Sequence, residues 1–229
     1  MVAFRYLPAI FALSTETLLP LGAASDSLET ILARMDRSAA AFKSMSANVQ
    51  WVEHTAVIND DAVDTGTMKL KRSKRDIRAL VEFIEPDRKS VSLHEKKLEI
   101  YYPKMQTVEE YDIGAHREVL DQFLLIGFGT SGKELAAAYN MSVLESETVD
   151  GQKTMRLELV PKSPDVLKHL KKLEIWLAEN GYPVQQKFYL PGGDYKLVTY
   201  TNVKMNVLLS DSDLKLKVPK DVKHVYPQK

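Results

Sequence analysis

The sequence contains no cysteine, which excludes disulfide bonds, thiol catalysis and cysteine metal sites. It also excludes the acylated cysteine by which a lipoprotein is anchored to a membrane. The 31 Lys and Arg residues balance 31 Asp and Glu residues, so no net charge attracts the chain to nucleic acid or acidic lipid. Beyond the N-terminal residues, no run approaches the roughly 18 apolar residues of a membrane-spanning helix. We expect one globular domain that recognises its partners locally and binds no nucleic acid.

Motifs of catalysis and metal binding are also scarce. No G-x-S-x-G nucleophile elbow is present, and the adjacent acids Glu109 and Glu110 would point to opposite faces of a strand. The glycines of 127–132 match G-x-G-x-x-G, but the flanking segments read as antiparallel hairpins rather than as a dinucleotide fold. We therefore expect no enzyme activity, no cofactor and no metal. The histidines have no ligand spacing and occur singly, at His54, His94, His116, His169 and His224.

The first two dozen residues resemble an export signal. Arg5 precedes two apolar runs, 6–13 and 18–21, and the small residues of 22–24 fit a cleavage site. Glu16 interrupts the apolar core, which leaves a mobile cytoplasmic N-terminus as the alternative. The prediction is a signal peptide over 1–24 and a single domain over 25–229, exported to the periplasm.

Hydrophobic periodicity predicts one helix followed by many strands. Residues 27–42 place apolar side chains on one helical face, with Ser27 as the cap. From Asn48 the period changes to two, so that Val49 and Trp51 share one side. Tight turns at 150–151 and 180–181 join alternating runs, which is a strong hairpin signal. About ten or eleven strands follow, including a closing strand at 214–219, and a sheet of that size must curl.

The stretch 119–139 breaks the period of the strands. Two apolar turns, 123–126 and 135–138, flank glycines at 127, 129 and 132. This pattern predicts two short helices joined by a flexible joint. The hypothesis is a movable apolar plug that lies on the open face of the sheet.

Basic residues cluster in two places, 69–78 and 168–172. Blocks of like charge usually solvate a turn or loop. The alternative is docking to an acidic partner or to anionic headgroups. The first cluster lacks the aromatic residues that stack on RNA bases.

The order of several short motifs resembles the periplasmic outer-membrane lipoprotein carrier family, which is LolA-like. These are the N-terminal helix, the Gly-x-x-x-x-Lys-Arg strand of 66–72, Pro86-Asp87, and the Tyr-Tyr-Pro of 101–103. They continue with the apolar middle, the Leu-Val-Pro-Lys of 159–162, and a tail over 201–206 and 214–222. The similarity spans about 27–229. It departs from the family pattern at Ser73 and Asp221.

The resemblance implies an incomplete, half-open antiparallel β-barrel covered by short helices that act as a lid, in a mainly β protein. It implies a periplasmic lipoprotein carrier that holds acyl chains in an apolar cavity. Its partners would be acylated lipoproteins, an inner-membrane release complex and an outer-membrane acceptor, and a monomer is expected. Arg72 matches the family's lid-binding arginine, with Ile77 or Leu80 as the neighbouring apolar contact. The alternative is an extracytoplasmic regulatory module that senses a lipid or lipoprotein on the same half-barrel.

Alternation along the later strands predicts the cavity wall. Met155, Leu173, Leu177 and Val184 should share the concave side with the other wall residues, while Arg156, Glu158, Glu174 and Lys187 face outward. Trp176 then falls on the outer face, where we expect it under the N-terminal helix or at an edge. The predicted lipid-binding residues are Leu70, Arg72, Leu80, Phe123, Leu124, Phe128, Leu157, Leu159, Ile175 and Phe188.

Overall fold

The computed structural model describes residues 27–72, 77–114 and 126–227. Within these ranges the chain forms twelve strands in a single sheet and three α-helices. The helices are α1 (Leu28–Ala41), α2 (Gly132–Ala138) and α3 (Pro164–Leu167). The strands are β1 (Ser44–Thr55), β2 (Asp60–Arg72), β3 (Ile77–Glu85), β4 (Lys89–His94), β5 (Lys97–Tyr102), β6 (Thr107–Asp112), β7 (Tyr139–Val149), β8 (Gln152–Pro161), β9 (Lys172–Ala178), β10 (Pro183–Tyr189), β11 (Tyr195–Met205) and β12 (Lys223–Val225).

The sheet is open. Its strand order is β12-β6-β5-β4-β3-β2-β1-β11-β10-β9-β8-β7, and β12 and β7 are its edges in the described part of the chain. Neighbours are antiparallel except for β12, which runs parallel to β6. The prediction of a mainly β, half-open barrel with short helices is confirmed, with twelve strands instead of ten or eleven.

The predicted closing strand at 214–219 is wrong. Residues 211–214 form a 3₁₀ turn, and the last strand is β12, further along the chain. Ser210 begins that turn because its side chain and Asp213 form a capping box. Leu214 is buried against the outer face of the sheet, where its carbonyl accepts a hydrogen bond from Ser92. The alternating lysines that follow therefore belong to an irregular segment.

The N-terminal helix is confirmed. Ser27 caps α1 by accepting a hydrogen bond from the amide of Thr30 at 3.2 Å. Ile31 and Met35 turn inward and are buried against the strands β8 and β9. The helix therefore covers the concave face at the β7 end of the sheet.

The stretch 119–139 is helical only in part. Residues 119–125 lie outside the described residues. Residues 126–129 form a turn, α2 spans 132–138, and Tyr139 already begins β7. The second predicted helix is confirmed as α2, and the turn falls at the predicted glycine joint, where Gly127 has a φ of +80°, which favours glycine and interrupts a right-handed helix. The first predicted helix, 123–126, lies almost entirely outside the described residues.

The buried side chains form two clusters on the concave face. The first cluster lies over β1, β2, β3 and β11 and includes Val49, Leu70 and Phe128. The second lies under α1 and α2 and includes Leu157 and Ile175. Phe188 packs against both clusters. No helix in the described ranges is both long and apolar enough to cross a membrane.

Candidate functional site

A cavity of about 300 Å³ opens between the two buried clusters. This volume is at the lower end of the 300–1,000 Å³ typical of ligand sites. Its walls come mostly from the centre of the sheet, with one side closed by the β8–β9 connection. The lining residues are mostly apolar: Val49, Trp51, Met68, Val81, His169, Leu170, Gln186, Phe188, Leu190, Lys196, Val198 and Tyr200.

The wall follows directly from strand alternation. Val49 pairs with Tyr200 and Trp51 pairs with Val198 across β1 and β11. Alternate residues of a strand share a face, so both pairs point to the concave side. The alternation in β1 had already placed Val49 and Trp51 together, but their position at the centre of the sheet depends on β1 pairing with β11, a contact between distant parts of the chain. For that reason Val49 and Trp51 were not predicted from the sequence as part of the cavity wall.

Charged groups lie at the mouth of the cavity. The carboxylate of Glu53 accepts hydrogen bonds from the indole of Trp51 at 3.0 Å and from the ammonium of Lys196 at 2.8 Å. Burial alone would raise the pKa of Glu53, but these two donors outweigh it and the pKa lies below its ordinary value. Glu53 therefore stays ionised and holds Trp51 against the mouth.

The turn of residues 126–129, which we call the plug turn, lies beside the cavity. The ring of Phe128 is almost fully buried and meets the edge of the Tyr200 ring at a centroid distance of 5.0 Å. Tyr200 itself lines the cavity. Movement of Phe128 would therefore enlarge the apolar space.

Two side chains from the sheet hold the ends of the plug turn. Arg72 donates hydrogen bonds to the carbonyl of Gly129 and, at 3.2 Å, to the carbonyl of Ala39 in α1. Gln186 donates one of 2.9 Å to the carbonyl of Ile126. The contact between Arg72 and the plug turn is the one that the resemblance implied, whereas Gln186 was missed because no local pattern marks it.

The helix after the plug turn packs closely on α1. A side chain at Gly132 would place its Cβ 2.8 Å from the Cβ of Leu32, which is too close. Ser131 and Glu134 form a capping box that begins α2 at this point. The plug turn is thus fixed between a strand of the sheet and α1.

The predicted lipid-binding residues are divided among three environments. Phe188 lines the cavity, and Leu70 and Phe128 belong to the first cluster beside it. Leu157, Leu159 and Ile175 face the concave side as expected, but they are fully buried under α1 and α2. They support the cavity from a closed core and do not line it.

Leu80 faces away from the cavity, so its assignment as a lipid contact is wrong. Ile77 and Ala79 belong to the first cluster, and strand alternation turns Leu80 to the outer face. It pairs there with Ser92 at the place that the segment around Leu214 covers. Phe123 and Leu124 lie outside the described residues.

The outer face of β8–β10 carries a network of charged and aromatic side chains. Glu174 is nearly inaccessible and accepts hydrogen bonds from Arg156 at 2.6 Å and Lys172 at 2.7 Å. The guanidinium of Arg156 lies 4.9 Å from the centre of the Trp176 ring. The outward orientation of these residues is as predicted. The expected packing of Trp176 under α1 or at an edge is wrong, because α1 lies on the other face and β9 is an interior strand.

Other concave regions have a different character. Two larger depressions, of about 620 and 730 Å³, are lined by many polar residues such as Gln50, Thr199 and Asn202. The larger one also includes Val49, Ile84 and Val149, so its surface mixes polar and apolar groups, unlike the mostly apolar wall of the cavity. Among residues 27–72, 77–114 and 126–227, no group of three or more His, Asp or Glu side chains is arranged to hold a metal ion.

Comparison with solved structures identifies the architecture. MucB is 14% identical with a TM-score of 0.53, and the match covers 85% of this chain and 64% of MucB. An uncharacterised conserved protein from Thermus thermophilus is 14% identical with a TM-score of 0.54, and the match covers 88% and 99% of the two chains. A LolA superfamily protein from Nitrosomonas europaea is 15% identical over 84% and 99%, with a TM-score of 0.40. The chain shares its fold with MucB and with the Thermus thermophilus protein.

These similarities establish the fold and not the ligand. This chain spans just under two thirds of the MucB chain that it matches. No protein-family model matches the sequence, and no curated protein matches it.

Proposed function

We propose that this protein binds the acyl chains of a lipid or lipoprotein and carries them through the periplasm. The observation that supports it is the apolar cavity beside Phe188 and Tyr200, between two otherwise packed clusters. Each methylene that leaves water for such a site contributes about 0.8 kcal/mol. Ten buried methylenes would contribute roughly 8 kcal/mol before the costs of ordering the ligand.

Release requires that binding can be reversed, and the plug turn supplies a competitor. Phe128 and Ile126 bury their own apolar surface when the turn is closed. A ligand that displaces them gains only the difference between its burial and theirs. The same scaffold suits a carrier with no enzyme activity, which takes acylated lipoproteins from a release complex and passes them to an acceptor in the outer membrane, as the family resemblance implies.

The first test is a cavity-filling variant. Val81 lines the cavity and is partly exposed. Val81→Trp should therefore fill the cavity without overpacking the buried core. We expect binding of a dansyl-labelled fatty acid to fall at least tenfold. The matched control is Val63→Trp, which adds the same ring at a residue that is 41% exposed outside the cavity. Equal binding by the two variants would place the ligand elsewhere.

Native mass spectrometry of protein purified from its own periplasm would identify the cargo. A diacylated polypeptide supports the lipoprotein carrier, and a free lipid supports a lipid carrier. The proposal would be contradicted if neither species is found and the protein also binds no fatty acid in solution.

The second candidate is a regulatory module that senses a lipid or lipoprotein and passes the signal to a protein. It is supported by the similarity to MucB, which has also been crystallised with MucA. Transfer of labelled acyl ligand from donor to acceptor vesicles separates the two functions. A carrier accelerates that transfer, whereas a sensor holds the ligand and instead captures a protein partner in a ligand-dependent manner.

A further inference from the structure

The turn between β1 and β2 presents two aliphatic side chains to solvent. Val57 is 92% exposed and Ile58 is 69% exposed, and both are at the apex of the four-residue turn 56–59. The turn itself contains no charged residue. Branched aliphatic side chains at the apex of a hairpin contribute nothing to the packed interior of the protein.

This turn projects from the sheet. The last pair between β2 and β3 joins Thr65 to Glu85, so residues 60–64 of β2 extend past it. Five residues correspond to about 17 Å at 3.4 Å per residue. On its other side the hairpin is braced by the β10–β11 turn, where the amide of Ala56 donates a hydrogen bond of 2.8 Å to Asp194. The apex is therefore held in place on the β11 side and extends past the last β2–β3 pair on the other.

The same end of the sheet contains the mouth of the cavity. From Trp51 at the mouth, β1 runs directly to the projecting turn. The β8–β9 connection reaches this end as well, since the amide of Lys171 donates to the carbonyl of Tyr189. His169 and Leu170 of that connection line the cavity. Its basic residues Lys168 and Lys171 are exposed.

The charges at this end are mixed. Lys168 pairs with Asp165 at 2.7 Å, and Asp61 pairs with His54 at 2.7 Å. Asp60 follows the turn on β2, and Lys196 pairs with Glu53 at the mouth. Attraction to a surface would therefore depend on the two aliphatic side chains, with the lysines of the β8–β9 connection adding a weaker, salt-sensitive contribution.

We infer that this end of the sheet docks on a lipid bilayer, with Val57 and Ile58 inserted between the lipids. A stable protein interface buries about 800 Å² on each partner and is anchored by Trp, Tyr or Arg side chains. A projecting turn with two aliphatic side chains offers neither, whereas a bilayer accepts an isolated apolar tip. The inference extends the proposed function, since docking would hold the mouth of the cavity at the bilayer while the acyl ligand passes.

Flotation with vesicles of phosphatidylcholine, with and without phosphatidylglycerol, tests the docking. We expect the Val57→Ser, Ile58→Ser double variant to bind both vesicles about tenfold to a hundredfold more weakly than the wild type. The matched control is Leu208→Ser, a fully exposed aliphatic residue at the opposite end, near Ser44. That control should bind as the wild type does. Because Val57 and Ile58 are exposed, both variants should give wild-type circular dichroism.

Each result has one meaning. Vesicle binding that is absent in the wild type, or unchanged in the double variant, would overturn the docking inference. So would capture of a protein partner through Val57 and Ile58 without vesicle binding. Fatty acid binding in vesicle-free solution is measured separately. If native mass spectrometry finds no lipid cargo and the wild type binds no fatty acid there, the proposed function fails and the docking result stands on its own.

Discussion

The hydroxyl of Tyr200 donates a hydrogen bond of 2.6 Å to Gln186 on the neighbouring strand, in a fully buried position. The amide of Gln186 then donates to the carbonyl of Ile126, so the cavity wall and the plug turn share one chain of hydrogen bonds. Buried polar groups are costly when they lose a partner, and this cost couples the two parts.

Tyr200→Phe should destabilise the protein by about 1–3 kcal/mol, because Gln186 is left with an unsatisfied buried oxygen. Urea unfolding measures the loss. Gln186→Leu and the double variant complete a cycle, and the double variant should lose less than the sum of the two single losses. Additive losses would show that the two side chains do not act together.

The raised pKa of Tyr200 predicts that the protein loses stability at alkaline pH. Burial raises the pKa of Tyr200 above its ordinary value near 10. Above about pH 10 the unfolded chain releases this proton and the folded chain retains it, so stability falls as pH rises further. The Tyr200→Phe variant should show a shallower decline between pH 10 and 11.5 than the wild type. Parallel curves for the two proteins would assign the decline to other groups.

Arg72→Leu tests the second attachment of the plug turn. The guanidinium binds two carbonyls, and hydrogen bonds from charged groups contribute about 1.5–3 kcal/mol each when buried, less at this partly exposed site. The variant should stay folded but lose transfer of a labelled acyl ligand between vesicles. Arg72→Lys keeps the charge and loses the fork that reaches both carbonyls, so it should recover only part of the transfer. Wild-type transfer by Arg72→Leu would remove this residue from the mechanism.

Local patterns predicted the elements better than their arrangement. The amphipathic period of α1 and the Asp150-Gly151 turn act over a few residues, and both are found as expected. The pairing of β1 with β11 joins residues about 150 positions apart, and only this pairing brings Trp51 and Val198 to one cavity. Periodicity reports which side chains share a face, but it does not report which strands are neighbours.

The errors in the predicted site have the same origin. Leu157 and Ile175 were placed on the correct face, yet α1 and α2 close over them, and the register of distant helices is absent from strand alternation. Leu80 was assigned by resemblance across the β2–β3 hairpin, where the sequence departs from the family pattern at Ser73, and a shift of one residue in register turns a side chain to the opposite face. The contact of Arg72 with Gly129 was implied correctly because the Gly66-to-Arg72 spacing keeps its register within one strand.

The lowered pKa of Glu174 predicts that the protein loses stability at acidic pH. Burial alone would raise its pKa, but hydrogen bonds from Lys172 and Arg156 outweigh burial, and the pKa lies below the ordinary value near 4.5. The carboxylate therefore contributes stability above about pH 4.5 that is lost as pH falls through its lower folded-state pKa. Glu147 belongs to the same network, and hydrogen bonds from Trp176 and Arg156 hold its pKa below the ordinary value, so it will also contribute to the acid transition.

Glu174→Gln should lower the free energy of unfolding at pH 7 by roughly 2–3 kcal/mol, less than the 3–5 kcal/mol of a fully buried pair because Arg156 and Lys172 reach solvent. Between pH 5 and pH 3 the variant should lose less stability than the wild type. The matched control is Glu179→Gln, a carboxylate in the exposed turn after β9, which should follow the wild-type curve. An acid transition of wild-type steepness in Glu174→Gln would exclude this carboxylate as a source of acid sensitivity.

Gly132→Ala decides between two opposing effects at the start of α2. Alanine favours a helix over glycine by about 1 kcal/mol, so propensity alone predicts a more stable protein. The new methyl group would lie 2.8 Å from Leu32 of α1, including its main-chain oxygen, and overpacking of this kind costs about 1–3 kcal/mol. We expect the close contact to dominate and the variant to be less stable in urea by about 1 kcal/mol. Lys133→Ala, at the adjacent exposed position, should leave stability within about 0.5 kcal/mol of the wild type. A stabilised Gly132→Ala protein would mean that α1 and α2 yield to each other easily, and that the close contact between Gly132 and Leu32 does not help to fix the plug turn.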